Sequence, residues 1–215
     1  GLTLNAGSLL LGNSTSLGSG ALNVNGAATL DGLTALNLAN NIALGGGASL
    51  TLPGNQATTL GGVVSGTGAL VKNGASTLTL NGANTFSGGL SLNAGGLLLG
   101  NAGALGSGNL TVGGAASLDT SAGFVLGNNL VISGSGSLNL LGSNPLSLNG
   151  SISGAGNLVK NGAGTLTLNG ANSLTGNFSL AGGSLALGAG GSLSPTGAMT
   201  LGVGTTLDLT AAANQ

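Results

Sequence analysis

The chain has 215 residues, of which 2% are charged and 41% hydrophobic; 47 are glycine, and the net charge is −1. This balance excludes a phosphate-binding surface, which needs clustered lysine and arginine, and it excludes a disordered chain, which is poor in hydrophobes. Cysteine and histidine are absent, so there is no disulfide framework and no thiol or imidazole chemistry, and no apolar run approaches the roughly 18 residues of a membrane span.

The opening "GLTLNAG" already follows a strand pattern and carries no signal peptide, so the sequence is expected to be a stretch of a longer protein. "NAGSLLLGN" (5–13) returns as "NAGGLLLGN" (93–101), Asp31 returns as Asp119, and Lys72 returns as Lys160. "LVKNGASTLTLNGAN" (70–84) returns at 158–172 with one letter changed. Each of these pairs is 88 residues apart, and aligning 1–88 with 89–176 without a gap gives 50 identities. One inserted residue brings Asp208 under Asp119 in a third, partial copy. The chain is therefore read as a single segment, 1–215, built of repeat units 1–88, 89–176 and partial 177–215.

A finer beat runs inside the unit. Leu90/Leu92, Leu110/Val112, Leu130/Ile132 and Leu148/Ser151–Ile152 form one series, and Leu98, Leu118, Leu138/Leu140 and Leu158 form another. "TLTLNG" and "SLNL" alternate as strands with one buried face do. Asn-Gly turns at 25, 73, 81, 149, 161 and 169 punctuate them. The pattern predicts an all-β parallel β-helix (β-solenoid) of about ten coils, roughly 20 residues each, with an 88-residue super-repeat. Leu78, Leu80, Leu98, Leu118, Leu138, Leu140, Leu166 and Leu168 are expected to point inward, and a wider corner is expected near 144–152. An antiparallel sandwich or propeller is the other architecture that Asn-Gly turns can serve, but a propeller blade needs about 44 residues and the beat here is nearer 20.

No catalytic, cofactor-binding or metal-ligating residue is expected, and the chain is not expected to be an enzyme. It has no histidine or glutamate to act as a base. Asp31, Asp119 and Asp208 recur once per unit, about 19 Å apart if four coils separate them, whereas paired catalytic carboxylates sit about 5–9.5 Å apart. One Asp per unit cannot fill a calcium site. "GTGALV" and "GAGNLV" precede strands and lack the helix that would hold a phosphate. Thr77-x-Thr79 and Thr165-x-Thr167 have the form of ice-binding rows but occur once per unit rather than once per coil. Lys72 and Lys160 are expected to be solvated corner charges or, if solenoids pack together, to meet a neighbour's Asp.

"GTGALVKNGASTLTLNGANTFSGGLSLNAGGLLLG" (Gly66–Gly100) and "GAGNLVKNGAGTLTLNGANSLTGNFSLAGGSLALG" (Gly154–Gly188) resemble the autotransporter-associated β-strand repeat. Lys72 and Lys160 fall on the family's lysine. Asn84-Thr85-Phe86 and Asn172-Ser173-Leu174 fall on its Asn-Thr-Tyr step, with the tyrosine missing from both. The resemblance implies a right-handed parallel β-helix in the passenger of a large secreted bacterial surface protein, where it serves as scaffold. The expected function is thus a non-catalytic stalk at the cell surface or outside the cell. The alternative is a self-assembling extracellular fibre of laterally or axially packed solenoids. Expected partners are copies of itself or neighbouring repeats of the same chain, with no nucleic acid and no membrane span. An adhesin groove for sugars has no aromatic platform here, tyrosine and tryptophan both being absent.

Overall fold

In an extended segment alternate side chains point to opposite faces, so "TLTL" places both of its leucines on one side. In the computed structural model of the chain, which describes residues 1–193 and 197–212, such segments form 27 strands of two to six residues and one 3-10 turn, Thr210–Ala212. Strands this short bury little alone, and each pairs instead in parallel with a strand 19–22 residues away along the chain. The fold is an all-β parallel β-solenoid of about 10 turns. It divides into two compact units, Gly1–Leu110 and Thr111–Gln215. The partial third sequence copy falls in the latter, and its residues 194–196 and 213–215 lie outside the described part.

In the first unit the chain visits three sheets in turn. One holds Leu2–Leu4, Leu22–Val24, Ile42–Leu44 and Val64–Gly66. The second holds Gly7–Leu11, Ala27–Gly32, Ser49–Leu52, Ala69–Lys72 and Leu90–Leu92. The third holds Leu36–Leu38, Thr58–Leu60, Thr77–Leu80 and Gly95–Leu99. Side chains at matched register positions stack into ladders, such as Leu50–Leu70–Leu90 and Leu38–Leu60–Leu80–Leu99.

The second unit repeats the scheme. Its sheets include Ser137–Leu140, Asn157–Lys160 and Phe178–Leu180 in one and Leu146–Leu148, Thr165–Leu168 and Ser184–Leu187 in another. Its ladders include Leu126–Leu148–Leu168–Leu187 and Ala116–Leu138–Leu158–Phe178. All of these residues are buried, and each full leucine contributes roughly 1.5–3 kcal/mol relative to exposure.

Of the eight leucines expected to point inward, seven do: Leu78, Leu80, Leu118, Leu138, Leu140, Leu166 and Leu168 are 2% exposed or less. Leu98 does not. The offset from Thr77–Leu80 to Gly95–Leu99 is 19 residues, so Leu97 and Leu99 meet Leu78 and Leu80 while Leu98 lies beside Thr79 on the outer face. An odd offset exchanges inward for outward positions. The wider corner is also elsewhere than expected. Offsets rise to 22 because four residues turn at Gly45–Ala48 and at Ser133–Gly136, closed by Ala48 N–H to Gly45 O (3.1 Å) and Gly136 N–H to Ser133 O (2.7 Å).

This register separates two otherwise similar substitutions. Leu138→Asp strands a carboxylate in an apolar ladder and should cost more than the about 2–5 kcal/mol of a buried Leu→Ala change. Leu98→Asp, on the outer face, should cost less than about 1 kcal/mol. Thermal unfolding followed by circular dichroism measures both, and equal losses would contradict the register.

Candidate functional site: two buried lysine corners

"ALVK" is a strand with burial alternating along it, so Lys72 shares the inner face with Leu70. The register puts it in a leucine ladder, Leu52–Lys72–Leu92. The side chain is 1% exposed. Its four-carbon stem fills the rung and its Nζ turns into the corner that follows, donating to Gly74 O and to Ala94 O (3.5 Å) in the next coil. In the second unit Lys160 occupies the ladder Leu140–Lys160–Leu180, is 4% exposed, and donates to Gly162 O and Gly182 O (3.4 Å).

The lysines are thus not solvated corner charges, and their enclosed Nζ groups present nothing for a neighbouring solenoid's Asp. A bend breaks the parallel ladder and leaves its carbonyls without strand partners, and a buried carbonyl needs a donor. The ammonium brings three. Glycine makes the room. A Cβ on Gly54 would lie 2.5 Å from Lys72 Nζ, and one on Gly74 would lie 1.7 Å from Pro53 O. Burial pushes the pKa of both ammonium groups below the ordinary lysine value, because the charged form loses its hydration.

The carboxylates do not answer these cations directly. Asp31 accepts from Gly32 N (2.9 Å) and from Asn55 Nδ2 (2.8 Å), with Asn55 in the coil between Asp31 and Lys72. Asp119 accepts from Thr120 N (2.7 Å). Asp208 accepts from the backbone N (2.9 Å) and Oγ1 (2.7 Å) of Thr210, and these bonds, the backbone one foremost, hold its carboxyl below the usual range. Asp119 and Asp208 lie on different sheets of the second unit. Among the described residues no three His, Cys, Asp or Glu side chains gather as a metal site. The Thr-x-Thr segments make no threonine row, since Thr79 stands between Thr59 and Leu98, and Thr167 between Ser147 and Ala186.

Sequence reasoning left the internal asparagines without a role. Asn84 is 7% exposed, accepts from Val64 N–H (2.8 Å) in the preceding coil and donates to Ala104 O (2.6 Å) in the following one. Asn172 does the same with Ile152 N–H (2.7 Å) and Ser192 O (2.8 Å). Each stands 20 residues from both partners, a spacing visible in the sequence once the coil length is known. Phe86 and Leu174, two residues on, are buried at the place of the missing tyrosine.

Residues 70–99 and 158–187 match the family model of the passenger-associated-transport-repeat. Together the two matched segments span 60 of the 215 residues. No curated protein and no solved structure matches it. Each matched segment is just long enough to stack on itself: Leu70 pairs with Leu90 and Leu78 with Leu97 inside the first, Leu158 with Phe178 and Leu166 with Leu185 inside the second. Both carbonyls bound by each lysine also lie inside its repeat, whereas Asn84 and Asn172 reach beyond theirs in both directions. The family implies a secreted or cell-surface protein, and its repeat together with the β-solenoid suggests a structural rather than a catalytic role.

Two measurements test the corner. Because the folded-state lysine pKa is depressed, the unfolded chain binds more protons on the alkaline side, and stability should rise as pH climbs toward the ordinary lysine range. The chain has no tyrosine, cysteine or arginine, so the lysines are the only side chains that titrate there. Lys72→Met with Lys160→Met should flatten the dependence seen in urea unfolding at stepped pH, and a slope unchanged in that variant would contradict the desolvated ammonium.

Separately, Asn84→Ala leaves Val64 N–H and Ala104 O unpaired and should cost about 1–3 kcal/mol per stranded group. The same urea titration at neutral pH reads that loss, against Asn23→Ala on the outer face of its strand as a near-neutral control.

Proposed function

We propose that this chain is a non-catalytic stalk segment in the passenger of a large secreted bacterial surface protein, holding other parts of that protein away from the cell. The observation that carries this reading is the self-stacking of each passenger-associated-transport-repeat. A unit that closes its own coil-on-coil pairing and its own lysine corner can be added in tandem without new contacts being designed. The composition supports it from the other side, since the sequence has neither histidine nor glutamate nor cysteine to run a proton or nucleophile cycle.

A second reading, a self-assembling extracellular fibre, draws on the 2% charge content, because such a surface repels its own copies weakly. Light scattering across a concentration series discriminates the two. A stalk segment should stay monodisperse near the chain mass of 19.7 kDa. Particles that lengthen with concentration and time would favour the fibre and overturn the stalk.

A further inference from the structure

Six asparagines precede glycine: Asn25, Asn73, Asn81, Asn149, Asn161 and Asn169. In such a pair the glycine backbone nitrogen, once deprotonated, can attack the asparagine Cγ. The N–Cγ bond forms, the Cγ–Nδ2 bond breaks, and ammonia leaves with the proton. Water then opens the cyclic imide at one of its two carbonyls, giving aspartate or isoaspartate. Glycine favours this step because no Cβ shields its nitrogen. The step needs a side-chain amide free to turn and an N–H free to lose its proton.

The structure sorts the six. Asn25, Asn161 and Asn169 donate their Nδ2 to an asparagine of the preceding coil: Asn5 Oδ1 (3.0 Å), Asn139 Oδ1 (2.8 Å) and Asn149 Oδ1 (2.7 Å). Gly162 N–H, the nucleophile beside Asn161, is also tied to Leu140 O (3.1 Å). Among the described residues, Asn73, Asn81 and Asn149 donate their Nδ2 to nothing, and all three are exposed. Asn73 and Asn149 do accept at Oδ1, from Asn93 (2.8 Å) and Asn169, which leaves the leaving amide nitrogen in solvent and polarises the carbon under attack.

We propose that Asn73, Asn81 and Asn149 are sites of spontaneous deamidation in the folded protein, and that inter-coil hydrogen bonds hold Asn25, Asn161 and Asn169 back. Conversion at the three sites takes the net charge from −1 to −4, and each isoaspartate adds a backbone carbon at a corner where the coil length sets the register.

The sequence repeat supplies the control. Asn73 and Asn161 share the context "LVKNGA", with a buried lysine before each, and Asn81 and Asn169 share "TLTLNGAN". Intrinsic rates within each pair are therefore equal, and any difference comes from structure. The intact chain is incubated in mildly alkaline buffer, folded and in parallel in urea, and the amide-to-acid mass gain is followed site by site in digests.

In the folded protein Asn73 should convert faster than Asn161, and Asn81 faster than Asn169, by about three- to tenfold, the rate equivalent of one or two hydrogen bonds. In urea the members of each pair should match. Asn139→Ala, which removes the acceptor for Asn161 Nδ2, should speed Asn161 severalfold and leave Asn73 unchanged. Equal or reversed folded-state rates in either pair, no conversion at Asn73, Asn81 or Asn149, or an Asn161 rate indifferent to Asn139→Ala would overturn the proposal.

Discussion

Every strand in this chain depends on a partner one coil away. Strands of two to six residues have too little side-chain contact of their own, and their backbone N–H and C=O groups must be paired once they leave water. The parallel partner 19–22 residues away does both tasks, satisfying the backbone and setting one leucine on the next. From that pairing follow the inward alternation, the ladders, and the small residues at the corners, where one coil must clear the next. A glycine such as Gly74, with Pro53 O beneath it, is what this clearance requires.

The corners are where pairing lapses, and there the polar interior is found. Lys72 takes a rung between Leu52 and Leu92 that a third leucine would fill with less desolvation. A leucine, however, would leave the Gly74 and Ala94 carbonyls without donors. Charge-assisted bonds to two coils weigh against the desolvation of the ammonium, and the stem keeps the ladder's apolar contacts. Asn84 solves the complementary problem, since its amide supplies both an acceptor and a donor to coils on either side. The lysine therefore closes a repeat internally, and the asparagine ties it to what precedes and follows.

Much of this was legible in the residues. Alternation in "TLTL" and "SLNL", a beat near 20 and Asn-Gly punctuation were enough for a parallel solenoid and for seven of eight inward leucines. Leu98 departs from the beat of 20 because its coil has 19 residues, and one residue suffices to turn a side chain over. Lys72 departs from expectation for a different reason. Period two in "LVK" puts it on the face of Leu70, although lysine is rarely buried. Which carbonyls need its donors depends on the corner's path, and that is fixed by residues one coil away. The 88-residue sequence unit gave no help, because offsets mixed from 19 to 22 make it slightly more than four coils.

The scarcity of charge has a physical reading in the same geometry. In a parallel stack outward side chains at matched positions face one another across about 4.8 Å, and a tandem repeat tends to place like beside like. Two like charges at that separation cost about 0.9 kcal/mol in bulk water and about 3.5 kcal/mol at an effective dielectric of 20, repeated at every coil. Asparagine stacked on asparagine gains instead, because one amide can donate to the next, as Asn93 does to Asn73, Asn161 to Asn139 and Asn169 to Asn149. Serine and threonine rows are neutral in the same sense and suit a strand. A solenoid that grows by duplication is therefore driven toward amides and hydroxyls outside, and it can keep a cation only where the next coil offers a carbonyl rather than a second cation. That is the position of Lys72 between Leu52 and Leu92, and of Lys160 between Leu140 and Leu180.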